Sequence, residues 1–338
     1  MRAMSQIKIE DLKAQDPAAH RSAVDRFETS FAQNVNARYA VAVDSFGAAM
    51  RYALEIAGVG AGDEIITSPY NSRVTHSAIL SLGARLVFVD VEEYSLNMNS
   101  RLIAGAITGR TRAIVPVHTA GLPADITTIH QIAGEHGLHV IEDAALAFPS
   151  EYRGTMVGGT SDFTCFGFHG LGVLCAGNPE WARQCRAKSH PSNEAYAADS
   201  LHHLANAESE WIRRTEIARM YNHAFGELPE LQIPADRFDC EHAWNLYMLR
   251  LNLDLLRINR AEFMEELTRR KIDARMHFIP LHVHPYCSDV HSRQPEDFPV
   301  AYRESMREVS LPIRSEMTDI DVGDVICAVT ETAEKWGS

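Results

Sequence analysis

Residues 125–147 read DITTIHQIAGEHGLHVIEDAALA, and the order of elements in that stretch decides the fold. Asp125 is suited to cap a helix over Ile126–His136, because its carboxylate accepts from the free amides of a first turn. Gly137 stops that helix, since glycine enters the left-handed conformation at little cost. His139–Glu142 then reads as a strand. The same alternation runs upstream. A strand at Ala40–Val43 precedes an amphipathic helix from Gly47 to Ala57, which Gly58-Val-Gly-Ala-Gly62 breaks before a strand at Glu64–Thr67. A helix at Arg73–Leu82 ends at Gly83 and leads into a strand at Arg85–Asp90. Asn99 caps Ser100–Ala106, and Arg112–Val117 is a strand. Repeated strand–helix units of this length predict a mainly parallel sheet with helices on both faces.

After Cys165 the rhythm changes. Ser200–Phe225 reads as one long helix, interrupted near its centre and ended by Gly226. Beyond it come a strand at Trp244–Leu251, a helix capped by Asn259, a strand at Asp273–His277, and helices at Val300–Val309 and Asp319–Trp336. The expected organisation is an N-terminal arm (1–24), a large α/β domain (25–199), a connecting long helix (200–230) and a small C-terminal α+β domain (231–338).

The net charge of −13 repels phosphate backbones, so nucleic acid is not an expected partner. No apolar run reaches the length of a membrane helix, and the polar start lacks a signal-peptide core. A cytoplasmic location is therefore expected, with no membrane partner. The six cysteines (Cys165, Cys175, Cys185, Cys240, Cys287, Cys327) form no CxxC pair and read as free thiols.

The segments VAVDSFGAAM (41–50), GAGDEIITSPY (60–70), GARLVFVDV (83–91), AIVPVHTAGLPAD (113–125) and VIEDAALA (140–147) fall in the order and spacing of the DegT/StrS-type sugar aminotransferases. EHAWNLYMLRL (241–251), MHFIPLHVHPY (276–286) and DFPVAYRESMREVSLPI (297–313) extend the resemblance over roughly residues 25–330. It implies a fold-type-I, pyridoxal-phosphate (PLP) transferase-like α/β fold, with a mainly parallel seven-stranded-type sheet and a homodimeric assembly.

The departures cluster at one spot. The family runs from a Phe-Ser-Phe strand into a loop bearing the Schiff-base lysine. This chain has CFGFHGLGVLCAGN (165–178), and Asn178-Pro-Glu-Trp already matches the helix that follows. The loop is missing by this comparison. The five lysines (Lys8, Lys13, Lys188, Lys271, Lys335) all lie elsewhere in the sequence. By the resemblance, Phe46-Gly47 replaces a phosphate-binding Gly-Thr pair, Gly167 a phosphate-binding serine, Ser72 the ring that stacks on the pyridine, and Leu146 a glutamine. Asp143, the partner of the pyridinium nitrogen, stays in place. Lost hydroxyl contacts cost about 0.5–1.5 kcal/mol each, and charge-assisted contacts to phosphate cost more.

These departures lead to the expectation of no bound cofactor, with PLP or its amine form PMP as the alternative. The expected protein is a repurposed enzyme that works on a small metabolite in a natural-product or modified-sugar pathway by acid–base cyclisation, dehydration or isomerisation. The rivals are a non-catalytic partner subunit of an active homologue, in a heteromer, and a PLP- or PMP-dependent sugar aminotransferase or dehydratase. The expected catalytic residues are Asp143, His169 and Arg73. Asp143 is either an inherited strand-end acid or a desolvated general acid–base. Arg73 pairs with Asp143, binds an anion, or is a solvated helix residue. The former cofactor cavity is expected to gather Phe46, Gly47, Tyr70, Ser72, His76, His118, Leu146, Gly167 and His282. His118 and His282 also have a structural reading. His277, His282 and His284 lack the carboxylate spacing of a metal site, so no metal is expected.

Overall fold

The computed structural model describes residues 22–189, 194–284 and 294–338. The expected arm at 1–24 and Cys287 fall wholly or largely outside them. Strand–helix alternation builds the first half: helix α1 (Ala23–Asn34), strand β1 (Tyr39–Val43), α2 (Phe46–Ile56), β2 (Glu64–Thr67), α3 (Arg73–Ser81), β3 (Arg85–Phe88), α4 (Ser100–Ala106), β4 (Thr111–Val115), α5 (Ile126–His136) and β5 (His139–Asp143). The caps are those the sequence announces. Asn99 accepts from Arg101, Asp125 accepts from Thr128, and Gly137 closes α5 at φ 65°.

A small ribbon of β6 (Glu151–Tyr152) and β7 (Thr155–Met156) precedes a tight hairpin, β8 (Phe163–Phe168) and β9 (Leu171–Ala176). The seven-stranded sheet has the order β1-β9-β8-β5-β4-β2-β3. Only β9 runs against the others, so the sheet is mainly parallel as expected.

Side chains on β8 alternate between two cores. Phe163 and Cys165 join Met50, Leu54 and Ile79 on the α2–α3 face, where α6 (Pro179–Lys188) also packs. Phe166 and Phe168 join Phe27, Phe31 and Phe148 on the other face, under α1 and α7 (Glu194–Phe225). The small domain holds β10 (Leu231–Gln232), β11 (Cys240–Glu241), which pairs back onto β6, β12 (Tyr247–Leu251), α8 (Arg260–Arg269), α9 (Pro299–Arg307), β13 (Glu308–Leu311) and α10 (Asp319–Trp336). No helix of the described residues is long and apolar enough to cross a membrane.

Three expectations need correction. The long helix spans Glu194–Phe225 without a break, so it is already formed ahead of Ser200. Its first half buries Ala197, Leu204 and Ala207 against the large sheet, and its last turns bury Ile217, Tyr221 and Phe225 in the small-domain core. The polar middle turns serve neither core, which is why the sequence reads as interrupted. The helix expected at Val300–Val309 stops at Arg307, because Glu308–Leu311 pairs with β12. Asp273–His277 forms no strand and contributes a single bridge, Arg275 to Ser310.

Two glycines test this packing. A Cβ at Gly172 on β9 would sit 2.0 Å from the Ser45 carbonyl oxygen, a backbone atom that cannot swing away. Gly134 lies on α5 with nothing near its would-be Cβ. In urea unfolding, Gly172→Ala should cost about 3 kcal/mol or more. Gly134→Ala should stabilise the protein by about 0.5–1 kcal/mol.

Candidate active site at the carboxyl end of the central strand

Strand β5 ends in two adjacent buried acids, Glu142 and Asp143, whose side chains leave opposite faces of the sheet. Glu142 is fully engaged. His118 Nε2 lies 2.8 Å from one of its oxygens, and Thr164 Oγ1 donates to the other at 2.9 Å. The Ala124 amide donates to His118 Nδ1, so the ring proton belongs on Nε2, facing Glu142. Burial alone would raise the Glu142 pKa, but hydrogen bonds from His118, Ser161 and Thr164 outweigh it and hold the carboxyl below its ordinary range. His118 is thus a structural partner.

Asp143 differs. Thr75 Oγ1 donates to its Oδ2 at 2.5 Å and the Ala145 amide to its Oδ1 at 3.2 Å. Among the described residues no lysine, arginine or histidine forms an ion pair with it. Burial is the largest influence and pushes its pKa up, against the lowering effect of Thr75 and Ala145. Asn71 also lies beside the Asp143 carboxylate and lowers its pKa.

The other expected residues divide. Arg73 is the exposed first residue of α3 and does not pair with Asp143; Thr75, on the inner face of the same helix, takes that place. This corrects the expected pair: positions 73 and 75 lie about 200° apart around a helix, so only one of them can face the sheet. His76 is buried beside Thr75 on α3. Ser72 caps α3 without a side-chain bond, its amide held by Asn71 Oδ1. Tyr70 is buried and donates to the His277 carbonyl at 2.7 Å, tying the site to the small domain. His282 is buried, its ring set edge-on to Phe298.

Phe46 and Gly47 open α2, whose first-turn amides have no partner within the helix. Gly167 on β8 stands opposite them, its would-be Cβ 3.6 Å from the Cβ of Phe46. The Leu146 carbonyl accepts from Asn245 Nδ2 at 2.6 Å.

His169 occupies the turn between β8 and β9 at φ 43°. It is not in contact with Asp143; its ring stacks face to face on His203 of α7, centroids 3.5 Å apart. Burial is the main cause of a lowered His169 pKa, followed by His203. Thr75, Asn71, His203 and Asn245 escaped the sequence reading. Thr75 alone carried a signal, since it lies on the inward face of α3.

A cavity of about 100 Å³ lies beside the turn, lined by Ala145, Gly167, His169, His203, Arg214, Asn245 and their neighbours. The larger groove of about 660 Å³ lies on the small domain around Arg270 and Glu331, away from these residues. Of the described lysines, Lys188 pairs with Glu55, Lys335 pairs with Glu266, and Lys271 stands exposed after α8. No group of three or more potential metal ligands occurs among the described residues.

A mainly parallel seven-stranded sheet with an aspartate at the end of its central strand and a capping small domain defines a protein of the fold-type-I transferase class. The model of the DegT/DnrJ/EryC1/StrS aminotransferase family matches residues 5–179 and 192–330, and the chain belongs to that family. It is 36% identical to the uncharacterized protein MJ1066 of Methanocaldococcus jannaschii, over 90% of this chain and 88% of the relative. It is 35% identical to the spore coat polysaccharide biosynthesis protein SpsC of Bacillus subtilis, over 91% and 89%. Among solved structures, S. venezuelae DesV in complex with a ketimine intermediate superimposes with TM-score 0.87 at 30% identity, covering 92% of this chain and 89% of DesV. The putative sugar aminotransferase Spr1654 from Streptococcus pneumoniae, in its PMP form, shares the fold with TM-score 0.87 at 22% identity, over 97% and 94%.

The expectation of no cofactor is corrected by these relationships: membership of an aminotransferase family and likeness to DesV with its ketimine point to PLP rather than to none. The structure fits the ring end of such a group. Asp143 is a buried carboxylate with no ion-pair partner among the described residues, and the Phe46 and Gly47 amides at the start of α2 lie outside the helix's own hydrogen bonds.

Asp143 also leaves a mark on stability. Its folded-state pKa is raised, so its share of stability is present at low pH and is lost as pH climbs through the folded value. Urea unfolding of wild type and Asp143→Asn between pH 7 and 4 should show wild type gaining relative to the variant as pH falls. An unchanged gap would mean that the Asp143 pKa is not raised.

Proposed function

We propose that this protein is a sugar-modifying enzyme of the family that uses a pyridoxal-type cofactor held without a covalent tether. The buried, cation-free carboxylate of Asp143 carries this reading. Bound there, the cofactor supplies the amino group and electron sink that side chains lack. Asp143 holds a proton at the ring nitrogen, because a buried carboxylate gains most from a cation brought into contact. Thr75 Oγ1 fixes the carboxylate's orientation. The amides of Phe46 and Gly47 at the start of α2 bind the phosphate in place of the side-chain hydroxyls the family uses there. Burial lowers the His169 pKa, which favours its neutral imidazole, and the ring lines the cavity. The short turn at His169-Gly170 and the positions of Lys188, Lys271 and Lys335 support a cofactor held by contacts alone. A homodimer is the expected assembly.

Titration of the purified protein with PMP and PLP, followed by absorbance and fluorescence, tests the proposal. PMP should bind saturably, and borohydride treatment in the presence of PLP should leave no label on any lysine. Asp143→Asn should weaken PMP binding about tenfold or more, the share of one charge-assisted bond. Absence of saturable binding, or a reduced pyridoxyl-lysine found by mass spectrometry, would defeat the proposal.

A further inference from the structure

Residues 275–281 cross from the small domain to the large one as a strap, pinned at both ends. Arg275 exchanges backbone hydrogen bonds with Ser310 of β13, and the Leu281 amide donates to the Pro69 carbonyl at 2.7 Å. Between them, His277 is held from two sides. Its carbonyl accepts from the Tyr70 hydroxyl of the large domain, and its amide donates to Oε2 of Glu308 at 2.8 Å. Glu308 is the buried first residue of β13. Its Oε1 meets Ser310 Oγ, which also lies 2.9 Å from His277 Nδ1. Among the described residues no side-chain cation forms an ion pair with Glu308. The neighbouring arginines are spent elsewhere: Arg250 on the Glu93 and Tyr94 carbonyls and Glu304, and Arg260 on the Ser305 carbonyl.

We propose that Glu308 is a proton-controlled latch between the two domains: protonated, it clasps the strap to β13 and keeps Tyr70 and the start of α3 against the small domain; ionised, it loosens the strap. The protonated acid makes a neutral pair of bonds, accepting from the His277 amide with one oxygen and donating to Ser310 Oγ with the other. In the ionised form both oxygens only accept, and a charge without a contacting cation is sealed from water. Opening the strap hydrates that charge. The flanking groups leave the switch to Glu308 from neutrality upward. Burial, with the charge of Glu308, lifts the Tyr70 pKa well above its ordinary value, while burial and then Arg275 lower that of His277. Glu304 stays paired with Arg250, Arg303 and Arg307, and arginines keep their charge. Burial pushes the Glu308 pKa up to about 8, against the lowering effect of Ser310 and the His277 amide. The closed strap therefore binds the proton more tightly than the opened one. Its hold is full below the ordinary carboxyl range, weakens as pH rises, and levels off above the raised value.

The test uses the full-length protein without added cofactor, so it is decided separately from the cofactor reading. Hydrogen exchange read by mass spectrometry compares wild type with Glu308→Gln from about pH 5.5 to about pH 9. The glutamine amide reproduces the protonated acid, with one oxygen to accept and an NH₂ to donate. Comparison at equal pH cancels both the intrinsic pH dependence of exchange and the titration of Asp143. Wild type should lose about tenfold or more protection relative to the variant in residues 275–281 and 70–79 by about pH 8, then level off. Helix α10, in the same small domain, should show no such difference. Tyr70→Phe should keep the response in 275–281 and lose most of it in 70–79. Circular dichroism checks folding; should Glu308→Gln unfold, the pH profiles of wild type and Tyr70→Phe, with α10 as the internal reference, carry the comparison. Wild type and variant tracking each other at every pH, an equal response in α10, or a response in 70–79 that survives Tyr70→Phe would each overturn the latch.

Discussion

Two neighbouring carboxylates at the end of one strand govern this molecule. Glu142 and Asp143 are both buried, and successive strand positions send them to opposite faces of the sheet. On one face, His118 and Thr164 satisfy Glu142 and hold it ionised. On the other, Asp143 receives a hydroxyl and an amide but no cation, and burial raises its pKa. Burying such a carboxylate costs some stability, and a positively charged group placed against Asp143 would offset that cost.

The surrounding structure serves that asymmetry. The Glu142–His118 pair joins β5 to the segment after β4, and His118 Nδ1 in turn holds the Ala124 amide, so this side of the sheet end is fixed. On the Asp143 side, α2 and α3 bring a helix start, Thr75 and Asn71 to the same edge. The hydrogen bond from Tyr70 to the His277 carbonyl ties this edge to the small domain. Helix α7 completes the enclosure: its ends are buried in two different cores while its polar middle presents His203, Glu210 and Arg214 to the cavity.

Family membership and the proposed untethered cofactor meet at the β8–β9 hairpin. Membership and likeness to DesV point to a pyridoxal-type cofactor, and Asp143 is the contact proposed for its ring nitrogen. The hairpin closes in two residues, His169 and Gly170, and His203 packs its ring on His169. A cofactor held by contacts alone accommodates both observations, whereas the reading of a cavity emptied of cofactor does not survive the comparison with DesV.

The sequence by itself determined the alternating elements, because caps such as Asn99 and Asp125 and stops such as Gly137 act within a few residues of chain. It also singled out Asp143, since an acid at the end of an apolar strand stands out locally. Only the tertiary structure decided who meets that acid: Arg73 and Thr75 are two residues apart, and the choice between them depends on how α3 rotates against the sheet. Strand β13 was hidden for a similar reason, its buried Glu308 and Ser310 reading as surface residues until β12 supplies their surroundings. The His169–His203 stack joins positions thirty-four residues apart, and Arg214 on α7 meets the same cavity as Asn245 just before β12. Such contacts carry no local periodicity, so only the packing of α7 between two cores brings them together.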